Sequence, residues 1–282
     1  MSLRSVSLVL LLAVATAFPA LGNVMVGPQP LNLTRWVNKT VMLISAHPDD
    51  NEAAAGGTVH RLVQQGTRVV YLIITNGDKG CALGAGGATS CEGVMPAQIA
   101  TMRRAEAQAA ADSLNVDKLI MLDGYDDGML YSYSDVRVRQ ELTEHVRAER
   151  ANVVMTWMPS PEYSLPHGNL WADLGFHTDH QATGRHVLDV VRNAAANRFT
   201  FPDAGPPTAD LELYLWDFTA RATHYVDITG APFEAKVAAQ SLMKSQYPAG
   251  RPDVVRNGLK AIASKVGDRL HVPTLVEAFT VF

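Results

Sequence analysis

The run Leu43–Leu62, LISAHPDDNEAAAGGTVHRL, sets an imidazole at His47, adjacent carboxylates at Asp49 and Asp50, and a Gly-Gly pair directly behind an apolar segment. Neighbouring carboxylates repel, so their pairing calls for a compensating charge, and a metal ion would supply it. Far along the chain, HTDH places His177 and His180 at i and i+3, which at the start of a helix lie on one face and can address a common point. Two nitrogens and a carboxylate drawn from these runs would make the three-ligand arrangement of a catalytic zinc, with the fourth position left for water. Each run alone has a plainer use: HPDD as a capped turn, HTDH as a helix start capped by His177 or Asp179. Together they point to a hydrolytic metal centre.

Such a centre needs elements to hold it. VMLIS, ahead of His47, and TRVVYLIIT (67–75) are short β-branched runs that predict strands, and EAAAGGTVHRLVQQG between them reads as a helix stopped at Gly66. MPAQIATMRRAEAQAAADSLNV then predicts a helix, KLIML a strand, SDVRVRQELTEHVRAER an amphipathic helix and NVVMTW a strand. HTDHQATGRHVLDVVRNAAAN resumes as a helix, LELYLWDF and THYVDIT read as strands after the turn PDAGPP, PFEAKVAAQSLMKSQY is a last helix, and TLVEAFTVF is strand-like. This alternation predicts one α/β domain over 41–282, a Rossmann-like, mostly parallel sheet with helices on both faces. In such sheets ligands bind beyond the carboxyl ends of the strands, where His47, Asp49 and Asp50 fall. The connection 158–176 is long and irregular, the kind of loop that commonly serves function.

With AHPDD and its trailing GGT, TNGDKG after the second strand, RRAE in the next helix, and HTDH, the chain resembles the PIG-L-like (LmbE-like) zinc N-deacetylases. That family includes N-acetylglucosaminyl-phosphatidylinositol deacetylases and bacterial N-acetylglucosaminyl-inositol deacetylases. The resemblance covers most of the chain from Val41 onward. It implies one zinc ion per chain held by His47, Asp50 and His180, with Asp49 as general base. His177 would face the substrate carbonyl, as an imidazolium that stabilises the oxyanion or assists departure of the amine. The residue types suit amide hydrolysis, which needs an activated water, a polarised carbonyl and a proton for the leaving nitrogen. The resemblance further implies that Arg103, in RRAE, contacts a polar substrate group and that Asp127, in YDDGM, contacts sugar hydroxyls. A surface salt bridge from Arg103 to Glu106, and turn-shaping by Asp126 and Asp127, are the competing readings. The chain departs from the family pattern at Asn51, where an acid is usual, and at AAAGG, where LGCGG is usual, which bears on the tuning of the site rather than on its ligands.

The 282 residues are 47% apolar and 18% charged, as in an ordinary globular protein. A formal charge of −4 and the lack of a Lys/Arg-rich run argue against nucleic-acid binding. Residues 1–22 have a basic start at Arg4, an apolar run from Val6 to Phe18 and a small-residue exit, the pattern of a secretory signal peptide. The run is shorter than the ~20 residues of a spanning helix, so no stable membrane span is expected after cleavage. A turn-rich lead-in, 23–40, carries two sequons, at Asn32 and Asn38, which beside a signal predict glycosylation and secretion. Cys81 and Cys91, the only cysteines, bracket a Gly-rich loop and predict a disulfide, worth somewhat under ~3 kcal/mol by loop entropy. Length and composition do not specify an oligomeric state.

His60, His145, His186, His224 and His271 lack partner motifs and read as surface or packed histidines. His167 lies in the long loop, and Trp157, Tyr163 and Trp171 flank it, either to stack on a sugar or to pack. The expected function is removal of acetyl from an N-acetylated amino sugar, an N-acetylglucosamine unit. Its rivals are the glycolipid-pathway deacetylase acting on N-acetylglucosaminyl-phosphatidylinositol, and a non-enzymatic sugar-binding protein on a degenerate scaffold. The last predicts a lost ligand or base, whereas His47, Asp49, Asp50 and His180 are all present.

Overall fold

The β-branched and apolar runs pair into strands whose alternate residues face opposite layers. In the computed structural model, which describes residues 27–81, 91–160, 177–247 and 252–281, eight strands form one sheet. They are β1 (Gln29–Pro30), β2 (Thr40–Ser45), β3 (Arg68–Ile73), β4 (Lys118–Met121), β5 (Val153–Trp157), β6 (Glu212–Trp216), β7 (His224–Asp227) and β8 (Val276–Val281). Their order is β1-β7-β8-β6-β5-β2-β3-β4, and every pairing is parallel except those of β8, which runs antiparallel between β6 and β7. The expected signal segment, Tyr163, His167 and Trp171 lie outside the described residues.

Helices α1 (Asp50–Gln64), α2 (Pro96–Ser113), α5 (Ala231–Gln240) and α6 (Pro252–Leu270) cover one face, and α3 (Asp135–Ala148) and α4 (Thr178–Asp189) the other. On β2 the period of two is plain: Val41 and Leu43 pack with Leu62 and Phe233 in the first layer, Met42 and Ile44 with Leu142 and Val187 in the second. Each such fully buried aliphatic side chain contributes about 1.5–3 kcal/mol, which is what secures the register. Chain order diverges to either side of the β2–β5 pair, so a crevice opens at their carboxyl ends.

Two features differ from the sequence expectation. Residues 27–40 of the segment expected as a lead-in belong to the fold: β1 pairs with β7, and a 3-10 turn over Leu33–Trp36, capped by Asn32 Oδ1 on Thr34 N at 3.1 Å, buries Trp36 completely against Tyr214. Its signal was a single Trp in a stretch too short for periodicity. No element was expected over 252–270, where α6 forms with Val255, Leu259, Ile262, Val266 and Leu270 inward. Gly258 and Gly267 inside that run lower its local helix propensity, and burial of the apolar stripe overrides them.

The Gly-Gly pair behind the acids is explained by packing. Helix α1 breaks at Ala55, whose φ is −140°, which frees the amides that follow. Glu277, from β8, accepts both Gly57 N at 3.0 Å and Thr58 N at 2.7 Å, and Lys236 Nζ donates to the same carboxylate at 2.6 Å. A Cβ on Gly57 would lie 2.6 Å from Ile228 Cγ2, so only glycine lets this wall close on the helix. The break and its buried ion pair seat the first turn of α1, which carries Asp50.

Candidate metal centre and active site

β2 ends two residues before His47, and Asp50 opens α1. That short link folds around the Asp50 carboxylate: Oδ2 accepts Ala46 N at 3.0 Å, His47 N at 2.9 Å and, from the end of β5, Trp157 Nε1 at 2.9 Å. Oδ1 is left facing His180 Nε2 at 3.1 Å. His47 Nδ1 lies 3.0 Å from the same His180 nitrogen and 3.6 Å from Asp50 Oδ2. Tetrahedral ligands at ~2.05 Å from zinc stand about 3.3 Å apart, so two imidazole nitrogens and a carboxylate converge at the spacing of a coordination shell. All three side chains are buried. The donor set fits a metal ion.

His180 is placed by α4. A Cβ on Gly184 would lie 2.4 Å from Trp157 O, so glycine allows the helix to press onto the end of β5. There the Trp157 ring stacks on the His180 ring, centroids 3.9 Å apart and planes within 4°. Trp157 thus orients both a carboxylate and an imidazole. The sequence left it open between sugar stacking and packing, and its 1% exposure places it beneath the site.

On its other edge His47 Nε2 meets Asp127 Oδ1 at 3.2 Å and Asp179 Oδ2 at 3.3 Å. Asp179 is itself tied down by Gly128 N at 2.6 Å and Leu130 N at 3.0 Å. His47, Asp127 and Asp179 are close enough to resemble a second metal site. Their geometry matches the carboxylates that accept the outer N–H of a ligating histidine and leave its other nitrogen facing the metal. Asp179 had been noted only as a possible helix cap. The cap is instead His177, whose Nδ1 accepts Asp179 N at 3.2 Å.

Electrostatics follows from these contacts. Burial alone would raise Asp50, but the His180 and His47 imidazoles hold it well below the ordinary carboxylate range. Burial likewise opposes a charge on His47, yet Asp50, Asp127 and Asp179 outweigh it and raise its pKa well above the ordinary value. Asp49 behaves oppositely to its neighbour: burial and the Asp50 charge raise it in spite of Arg103. The His177 ring stands at the mouth, 4.5 Å from the His47 ring between centroids, and although the residue keeps an exposed edge, desolvation of the ring against the site and the neighbouring imidazoles push its pKa down to about 4. The imidazole is therefore neutral in the metal-free protein at neutral pH. With Nδ1 accepting a backbone N–H, its Nε2 carries the proton.

Asp49 is the residue before α1, yet its carboxylate makes no helix-cap hydrogen bond. Arg103 Nη2 holds it at 2.9 Å, and the guanidinium also donates to Gly77 O at 3.3 Å and lies 3.7 Å from Asp127. Arg103 is 2% exposed, so the surface salt bridge to Glu106 does not form; Glu106 instead accepts Ser245 N and Oγ at 2.8 and 2.6 Å. Asp127 is pinned through its backbone by Asp78 Oδ1 at 2.8 Å and Lys79 Nζ at 2.6 Å. The Cys81–Cys91 disulfide is formed, closing the loop that follows Lys79. Asn32 and Asn38 are exposed. His60, His145, His186, His224 and His271 join neither cluster. Local pattern announced neither the Trp157 nor the Asp179 contact, and the loop 76–80, legible as the TNGDKG motif, gave no sign that it braces Arg103 and Asp127.

The family described as GlcNAc-PI de-N-acetylase (PIG-L) matches over residues 42–191, which contain every residue of this centre. Diacetylchitobiose deacetylase of Thermococcus kodakarensis is 30% identical over 74% of this chain and 71% of its own length. A 1D-myo-inositol 2-acetamido-2-deoxy-alpha-D-glucopyranoside deacetylase of Rhodococcus erythropolis is 29% identical over 65% of this chain and 62% of the relative. Among solved structures, N,N'-diacetylchitobiose deacetylase from Pyrococcus horikoshii in complex with its inhibitor MPG superposes with a TM-score of 0.71 at 26% identity, over 86% of this chain and 84% of that one. With the match covering more than half of its length and the fold shared across most of it, the chain belongs to the PIG-L family.

Proposed function

We propose that this chain is a zinc-dependent hydrolase that removes the acetyl group from an N-acetylated amino sugar, in an N-acetylglucosamine-containing glycan or glycoconjugate. The observation that carries the reading is the convergence of His47 Nδ1, His180 Nε2 and Asp50 Oδ1 beside Asp49, a carboxylate of raised pKa outside the donor set. The relatives named as deacetylases of acetylated chitobiose and of an acetamido-glucopyranoside of inositol support the substrate class. His47, Asp50 and His180 would hold one zinc ion, which when bound polarises a carbonyl and acidifies water.

The chain's own residues account for the proton transfers. Asp49 accepts a proton from the attacking water as its oxygen bonds to the acetyl carbon, and a raised pKa makes it a better acceptor near neutrality. Arg103 positions that carboxylate. His177, neutral and protonated at Nε2, donates a hydrogen bond to the oxyanion as charge develops there. Collapse breaks the C–N bond, the proton held on Asp49 passes to the departing nitrogen, and acetate and the free amine result. Arg103 is turned inward onto Asp49, so its part in the reaction is positioning, and Asp127 serves through His47.

We further propose that the protein acts in the secretory pathway, a reading supported by the N-terminal apolar run, the disulfide and the exposed Asn32 and Asn38. No helix among the described residues is long and apolar enough to cross a membrane. The test is acetate release by zinc-loaded protein from N-acetylglucosamine, chitooligosaccharides and the inositol-linked glycoside, including its phosphatidylinositol form. Release from the first two places the enzyme on glycans, and release from the last alone favours the glycolipid substrate. Binding of these sugars without any release would replace the enzyme with a sugar-binding protein.

A further inference from the structure

Arg103 is buried and holds the Asp49 carboxylate at 2.9 Å, and it is itself seated on two glycines. Gly80 N donates to Gly77 O at 3.1 Å, which closes a turn, and Gly77 O also accepts Arg103 Nη1 at 3.3 Å. A Cβ on Gly77 would stand 2.9 Å from Arg103 Nη1 and 3.0 Å from Cζ, and one on Gly80 would stand 2.8 Å from the same Cζ. A side chain at either position would collide with the guanidinium. The floor that sets Arg103 against Asp49 is therefore bare backbone.

A floor of this kind has no side chain of its own to anchor it at Gly77 or Gly80, and two struts fix it from outside. Cys81 follows Gly80 directly, and its disulfide leads to Cys91, ten residues further on. Cys91 O accepts Val94 N at 2.9 Å in the turn ahead of Pro96, the first residue of α2, and Arg103 stands on α2 about two turns later. The bridge thus joins the floor beneath the guanidinium to the root of the helix that carries it. The second strut follows α5. Gln246 Nε2 donates to Gly80 O at 2.7 Å, while the neighbouring Ser245 donates N and Oγ to Glu106 of α2 at 2.8 and 2.6 Å. Floor and helix are tied together both before and after Arg103 along α2.

We propose that the Cys81–Cys91 disulfide is a positioning element of the active site, which acts through Gly80 and Arg103 to hold the Asp49 carboxylate in line with the attacking water. The inference rests on the reading of Asp49 as the base of a deacetylase. If the bridge only restrained the unfolded chain, its removal would lower Tm and leave turnover in the folded protein unchanged. A positioning role is read in the rate itself, because displacing a reacting group by about 1 Å can cost about 10²-fold.

The test uses the full chain, zinc-loaded, and acetate release from whichever of N-acetylglucosamine, a chitooligosaccharide and the inositol-linked glycoside the wild type turns over fastest. The variants are the pair Cys81→Ser/Cys91→Ser, which removes the bridge; Gly80→Ala, which keeps the bridge and displaces the guanidinium; Arg103→Ala; and Arg103→Ala combined with the serine pair. Each is assayed below its own Tm. kcat should fall about tenfold in the serine pair and at least about tenfold in Gly80→Ala, with KM and zinc content unchanged. Adding the serine pair to Arg103→Ala should lower kcat by less than about twofold more, since the two act on one path. A crystal structure of the serine pair should show Arg103 Nη2 displaced from Asp49. Should the serine pair not fold, wild-type protein folded with the bridge and then reduced by a phosphine takes its place. A bridge-free protein with unchanged kcat overturns the proposal, as does an unaffected Gly80→Ala, a loss of zinc, or a fall of equal size with and without Arg103. If the wild type releases acetate from none of the sugars, the deacetylase reading fails on its own. The crystal structure then decides the bridge, and an Arg103–Asp49 contact retained without it overturns the positioning role as well.

Discussion

Asp49 and Asp50 are adjacent and chemically identical, yet their surroundings assign them different work, and Asp49→Asn separates the two. Asp50 is held by two backbone amides and the Trp157 indole, none of which touches Asp49, so the variant should bind metal at full stoichiometry. Asp49 faces a guanidinium that is 3% exposed, at 2.9 Å. The amide keeps an acceptor oxygen there but loses the charge, a change that costs about 1.5–3 kcal/mol for a hydrogen bond to a charged group. In a protein of this size that lowers Tm by several degrees, without unfolding it at assay temperature. Turnover should fall much further, by roughly 10²–10⁴, the contribution of a positioned proton acceptor, equivalent to about 2.7–5.4 kcal/mol of barrier. Elemental analysis, thermal denaturation and acetate release on one preparation give all three quantities. A zinc-replete, folded Asp49→Asn protein with near wild-type turnover would refute the base assignment and shift it toward His177. A variant that loses its metal would show instead that the two carboxylates act as one unit.

Trp157→Phe keeps the ring on His180 but removes the donor to Asp50 Oδ2, and competition with a chromogenic chelator should show zinc affinity weakened about 10- to 100-fold. Unchanged affinity would reduce the indole to packing. Because His47 has a raised pKa, it stays protonated in the metal-free protein at neutral pH, and a ligating Nδ1 must give that proton up. Zinc binding at pH 7 should accordingly release a proton, and affinity should climb with pH until the raised pKa is passed; calorimetry in buffers of differing ionisation enthalpy reads this, and no release would contradict it. Glu277→Ala strands the buried Lys236 ammonium and two amides of α1, so urea unfolding should report a loss of about 3–5 kcal/mol, with Lys236→Met milder because the carboxylate keeps its amide partners.

The sequence by itself determined the layered α/β architecture and the location of the chemistry. Period-two runs such as 41–44, alternating with helical stripes such as Val138, Leu142 and Val146, need no long-range information, because each run must bury its own apolar face. The same holds for HPDD at a strand end and HTDH at a helix start, whose local geometry aims each set of donors at the crevice. Tertiary structure alone decided which atoms meet. Trp157 lies 107 residues from Asp50, and Asp179 lies 132 from His47, and nothing in either local pattern encodes a hydrogen bond across that distance. Arg103 illustrates the limit: its helix offered Glu106 one turn away, but burial of that face against the loop 76–80 left Asp49 and Asp127 as its only charged partners within reach among the described residues. Residues 252–270 show the converse, where two glycines hid a helix that packing against β8 imposes. Hydrophobic period is a property of a segment, whereas the environment that protonates His47, keeps His177 neutral and sets Asp49 apart from Asp50 arises only when four separate segments converge at the ends of β2 and β5.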